Sequence, residues 1–89
     1  MKVETTPTAE IAIRALGAED VRRVHAWLGH LENWGRDTHT RNMSRKMPES
    51  DLYVLRGTND LRIYFTLDEA NDVITVVDIA KHSVLGTAV

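Results

Sequence analysis

Leu52-Tyr-Val-Leu-Arg56, Leu61-Arg-Ile-Tyr-Phe65 and Val73-Ile-Thr-Val-Val-Asp-Ile79-Ala-Lys-His82 are three short runs of apolar, aromatic and β-branched residues, separated by Gly57-Thr-Asn-Asp60 and Asp68-Glu-Ala-Asn-Asp72. Runs of this kind bounded by Gly, Asn and Asp read as strands, and links this short make them an antiparallel meander. Successive side chains on a strand point to opposite faces. Tyr53 and Leu55 therefore share one face, with Leu52, Val54 and Arg56 on the other; Leu61, Ile63, Phe65 and Leu67 form a core face, with Arg62, Tyr64 and Thr66 opposite. On the last run Val73, Thr75, Val77 and Ile79 alternate with Ile74, Val76, Asp78, Ala80 and His82. The pattern predicts that Arg56 and Arg62 leave the core side and stand together on an open sheet face, where two guanidinium groups can hold a phosphate.

Upstream, Lys2 to Thr6 reads as a strand that Pro7 ends. A short helix is expected over Thr8 to Leu16, capped by Thr6 or Thr8, with Ile11, Ala12, Ala15 and Leu16 at helical spacing and Ile13 on another side. Gly17 stops it. A second helix begins at Glu19 and Asp20, acids suited to the positive end of a helix dipole, and carries Val21, Val24, Leu28 and Leu31 as one apolar stripe flanked by Trp27 and Trp34. From Trp34 to Asp51 the composition is polar without apolar periodicity, so a long loop is expected there. Between Arg36 and Lys46 this segment holds Arg36, Arg41, Arg45 and Lys46 against Asp37 alone, four cations to one acid and a local balance of +3. Long loops inside a compact domain tend to carry function.

At 89 residues the chain is expected to form one domain, residues 1–89, with a modest core. Hydrophobic residues make up 43% and charged residues 27%, and no apolar run approaches the ~20 residues of a membrane span. The expectation is a protein with no membrane association. The first residues lack the apolar stretch of a secretory signal, and there is no cysteine for disulfides or thiolate metal sites, which fits a reducing cytoplasm. A formal net charge of −2 is a poor global signature for binding free nucleic acid, so any such contact depends on the local basic surface.

The order strand, helix, helix and three strands, with Lys2-Val-Glu-Thr-Thr-Pro7, Leu52-Tyr-Val-Leu-Arg56, Leu61-Arg-Ile-Tyr-Phe65 and Val76-Val-Asp-Ile-Ala-Lys-His82, resembles the RelE/ParE superfamily of bacterial toxins over nearly the whole chain. The resemblance implies an α+β fold in which two N-terminal helices pack on one face of a mainly antiparallel four-stranded sheet, in the order β-α-α-β-β-β. It implies an antitoxin partner in a hetero-oligomeric complex. The short first helix and cationic sheet face look more like the RelE branch, which cleaves ribosome-bound mRNA, than the gyrase-poisoning ParE branch. Activity of that kind implies the ribosome and mRNA as partners and requires no metal or cofactor. The nucleotide's 2′-hydroxyl attacks the adjacent phosphate, so the protein must orient it, stabilise the added negative charge and manage two proton transfers.

Carried over by position, Arg56 and Arg62 match cations on the family's second and third strands and are the expected phosphate ligands. Arg41, Arg45 and Lys46 form the basic segment before that second strand and are candidates for gripping the RNA backbone, as is Lys81, which with His82 stands where relatives have a basic pair. Two departures matter. Val54 stands where RelE-like enzymes often have a lysine, and Gly86-Thr-Ala-Val89 offers no tyrosine where some relatives keep one. His82 is the available proton-transfer group, with Asp78 open to orienting it or to pairing with Arg62, and Tyr64 is a candidate for base stacking or proton positioning. The departures keep open a non-catalytic toxin-like module that binds an antitoxin and co-regulates transcription, and the superfamily itself keeps open a gyrase poison. His25 and His30 are five apart on the second helix rather than at metal-ligand spacing. His25 reads as a boundary residue and His39 as a solvated loop residue still open to RNA contact, while Trp27 and Trp34, which could stack on bases, better suit a core or an antitoxin interface at their helical spacing.

Overall fold

A computed structural model describes residues 1–58 and 60–81. The chain runs β1 (Lys2–Thr5), α1 (Pro7–Arg14), α2 (Ala18–Glu32), α3 (Thr38–Asn42), β2 (Ser44–Lys46), β3 (Leu52–Arg56), β4 (Leu61–Asp68) and β5 (Val73–Lys81). The strands form one sheet in the order β1-β5-β4-β3-β2, with β1 parallel to β5 and the other neighbours antiparallel. The expected arrangement of helices on a mainly antiparallel sheet is therefore present, with five strands where four were predicted.

The fifth strand comes from the segment read as a long loop. Asp37 caps α3 by accepting the Thr40 amide at 2.9 Å, and the Ser44 hydroxyl donates to the Thr40 carbonyl at 2.8 Å, which turns the chain into β2. Three residues of β2 pair with β3 as Ser44 with Leu55, Arg45 with Val54 and Lys46 with Tyr53. A strand this short, polar and at a sheet edge shows no apolar alternation, so its sequence carries no strand signal.

The first helix also differs in phase. Thr6 is its N-cap, accepting the Ala9 amide at 3.1 Å, and Pro7 occupies the first turn, where a missing N–H leaves nothing unpaired. Ala9 is fully buried, and Ala12, Ile13 and Leu16 pack against the core, whereas Ile11 is 66% exposed. The expected alignment of Ile11 with the core and Ile13 away from it is thus reversed, because α1 is anchored through Ala9, whose small side chain admits close approach to the sheet.

On α2 the predicted stripe holds. Val24 and Leu31 are fully buried, Trp27 is buried and Leu28 packs against the core. These residues meet Leu55, Leu61, Ile63, Phe65, Ile74, Val76 and Ile79 on one face of the sheet. Tyr53 stacks on Phe65 with ring centroids 5.4 Å apart, and Trp34 meets both rings edge to face at 6.1 and 5.6 Å. Both tryptophans therefore serve the core. Among the described residues no helix lies over the opposite face of the sheet, and no helix is long and apolar enough to cross a membrane.

Candidate nucleic-acid interface

In the antiparallel ladder between β3 and β4, Leu55 pairs with Ile63 and Tyr53 with Phe65 on the core face. The intervening pairs must therefore face outward: Arg56 stands directly opposite Arg62, and Val54 opposite Tyr64. The second of these rows runs across four strands as Arg45, Val54, Tyr64 and Asp78, and the first continues to Ala80 on β5. Arg45 and Arg56 are exposed, and Arg62, Tyr64 and Asp78 are half-buried. Directly opposite side chains lie ~4.5–5.5 Å apart at Cβ, so the paired arginines can present both forks to one anion. Among the described residues, neither guanidinium forms an ion pair.

Beside Arg56 lies a shallow cavity of about 180 Å³ lined by Asn42, Met43, Ser44, Arg45, Val54 and Arg56. It exists because α3 and β2 bring Asn42 and Arg45 alongside the middle of β3. The sheet face and this cavity together form a surface with three arginines, an aromatic ring and a carboxylate. Its chemistry suits a polyanion with exposed bases.

Other expected site residues lie elsewhere. Arg41 is half-buried and donates to the Trp34 carbonyl at 2.6 Å and to the Thr38 hydroxyl at 3.3 Å, closing the turn before α3. Lys46 pairs with the core-face residue Tyr53, so it points to the helix side of the sheet edge. Lys81, opposite Leu61, also faces the helices, where its ammonium reaches Asp20 at 2.7 Å. The Asp20 side chain is 7% exposed and also receives Arg23 at 2.9 Å, which balances its buried charge and ties the start of α2 to the end of β5. His82 lies outside the described residues. His25 and His39 are exposed, and His30 contacts Asp37 at 3.2 Å. Among the described residues no group of three or more His, Asp or Glu side chains is arranged to hold a metal ion.

Asp78 faces outward against strict strand alternation, on the side where the sequence reading leaves pairing with Arg62 open. Simple alternation puts it in phase with Ile74 and Val76, both fully buried. In the structure Phe65 pairs with Val76 and Tyr64 with Asp78, so Val77 is an extra residue and the phase changes there. This β-bulge turns Asp78 outward and brings Ile79 into the core. Asp78 Oδ1 accepts the Ile79 amide at 2.8 Å, and no ion pair joins it to Arg62 among the described residues.

No protein-family model matches the sequence, and no curated protein matches it. Solved structures do match in fold. The isolated E. coli RelE toxin superposes with a TM-score of 0.69 at 18% identity, covering 98% of this chain and 92% of that one. A RelBE toxin-antitoxin complex from Mycobacterium tuberculosis gives a TM-score of 0.72 at 12% identity, covering 91% and 90%. The archaeal RelE-RelB complex from Pyrococcus horikoshii gives 0.68 at 18% identity, covering 90% and 92%. The chain thus has the fold of the RelE toxins at 12–18% sequence identity.

Proposed function

We propose that this protein is the toxin of a bacterial toxin-antitoxin pair and that it cuts mRNA on the ribosome without a metal. The observation that carries this reading is the register of Arg56 against Arg62 on a sheet face that no described helix covers. Two like charges placed directly opposite each other are unfavourable unless an anion bridges them. Two converging forks can stabilise the charge that builds on a phosphate as the 2′-oxygen attacks, and arginine stays charged throughout. Arg45 lies on the same face and can hold the backbone, while Tyr64 is placed to stack a base or position a proton. The RelE fold and its solved complexes with RelB antitoxins support the toxin assignment and an antitoxin as partner.

The −2 net charge favours a substrate presented by the ribosome over free RNA. Induced expression is expected to arrest growth and leave mRNA cut at ribosome-positioned sites. Arg62→Ala is expected to abolish cutting and retain antitoxin binding. Growth arrest with DNA damage and intact mRNA would instead identify a gyrase poison, and tight antitoxin binding with no growth effect a non-catalytic module.

A further inference from the structure

The bulge at Val77 is built rather than incidental, because the backbone groups it displaces have dedicated partners. The Val77 carbonyl accepts the Thr6 hydroxyl at 2.9 Å, and the Val76 carbonyl accepts the Thr6 amide at 3.0 Å. The same Thr6 hydroxyl oxygen caps α1, so the start of that helix and the bulge are held by one residue. On the other side, the Ile79 amide is taken by Asp78 Oδ1. That bond fixes the carboxylate's orientation and leaves Oδ2 without a hydrogen bond among the described residues. Bulges commonly re-aim a side chain beside an active site.

We infer that Asp78 is the general base of the site, the group that removes the proton from the attacking 2′-hydroxyl. Its position fits that task on three counts. It is directly opposite Tyr64 and diagonal to Arg62, a separation of ~7–8 Å that an RNA phosphate and its ribose can span. Its neighbour along β5 on the same face is Ala80, whose small side chain leaves the approach to Arg62 unobstructed. The other charged groups on the face are Arg56, Arg62 and Arg45, then Glu4 one row away opposite Thr75 and paired with Lys2 at 3.4 Å, and Asp68 in the row of Lys2 beyond it, so Asp78 is the acid set among the arginines.

As the 2′-oxygen bonds to phosphorus its proton passes to Asp78 Oδ2. The bond from phosphorus to the 5′-oxygen breaks, and that oxygen takes a proton from water. The products are a 2′,3′-cyclic phosphate and a 5′-hydroxyl, and the proton on Asp78 neutralises the hydroxide left behind. A positioned base of this kind contributes roughly 10²–10⁴ in rate.

This assignment rests on the ribonuclease reading and is tested with Asp78→Asn, whose side-chain oxygen still accepts the Ile79 amide. Removing the negative charge is expected to tighten binding to ribosome-bound mRNA, while single-turnover cleavage falls by about 10²–10⁴. A carboxylate that only held the bulge would leave the asparagine variant cutting at the wild-type rate, and that result would overturn the proposal. If Asp78→Asn melts early, Asp78→Ser offers the same acceptor in a smaller side chain: slow cleavage by a folded Ser variant supports the assignment, and wild-type cleavage overturns it. Failure of the wild-type protein to cut any mRNA would sink the ribonuclease reading and this assignment together. A cutting wild type with an equally active Asp78→Asn removes the assignment alone.

Discussion

On the proposed function, Arg56 and Arg62 trade stability for activity. Among the described residues they face each other across two strands with no acid between them. Removing one charge relieves the repulsion, so Arg62→Gln is expected to raise stability by about 0.2–1 kcal/mol while cleavage is lost. Thermal melting and a cleavage assay on the same preparation check both halves, and a variant that loses both stability and activity would contradict the argument. Lys81 is the contrasting cation. It is bound to a buried carboxylate that keeps Arg23 as a second partner, so Lys81→Met is expected to lower stability by about 1 kcal/mol and leave RNA binding unchanged. Urea unfolding and RNA anisotropy distinguish the two kinds of cation.

At the level of elements, the turn from β3 to β4 is set by a close approach. A Cβ on Gly57 would lie 2.7 Å from the Trp27 indole nitrogen and 3.1 Å from its neighbouring ring carbon, and a buried ring has little freedom to retreat. Gly57→Ala is therefore expected to destabilise by about 1–3 kcal/mol, measured by urea unfolding, and to shift the β3-β4 hairpin on which both arginines stand. The cap of α3 governs an acid response. The hydrogen bond from the Thr40 amide, helped by His30, holds the Asp37 carboxyl below its ordinary range. A carboxyl lowered in the folded state adds stability at pH values above its unfolded range and loses it as pH falls through the folded value. Asp37→Asn preserves a capping oxygen but cannot titrate. The stability advantage of the wild type over Asp37→Asn is thus expected to shrink on acidification, as urea midpoints across a pH series would show; an advantage that grows toward acid pH would refute the sign.

For the whole molecule, the proposed function predicts an RNA affinity that is local and salt-sensitive. Three open-face arginines, Arg45, Arg56 and Arg62, meeting three phosphates of a single strand give log K against log salt a slope of about −2. Anisotropy titrations with an oligonucleotide lacking 2′-hydroxyls measure this slope, and Arg45→Ala is expected to reduce its magnitude by about 0.7. A slope near zero would mean that this face does not bind the backbone.

Alternation along Leu52–Arg56 and Leu61–Asp68 was enough to settle two strands, their core face and the outward pair Arg56 and Arg62, because each strand is buried on one side and a slip of register would expose the core. The stripe on α2 was legible for the same reason. Long-range contacts decided the rest. A three-residue edge strand exists through its pairing with β3, the inward side of α1 is chosen where Ala9 meets the sheet, and Arg41 and Lys81 are claimed by Trp34 and Asp20. The outward turn of Asp78 depends on Thr6, 71 residues from Val77, holding the extra residue in place, a tertiary bond that local periodicity cannot contain.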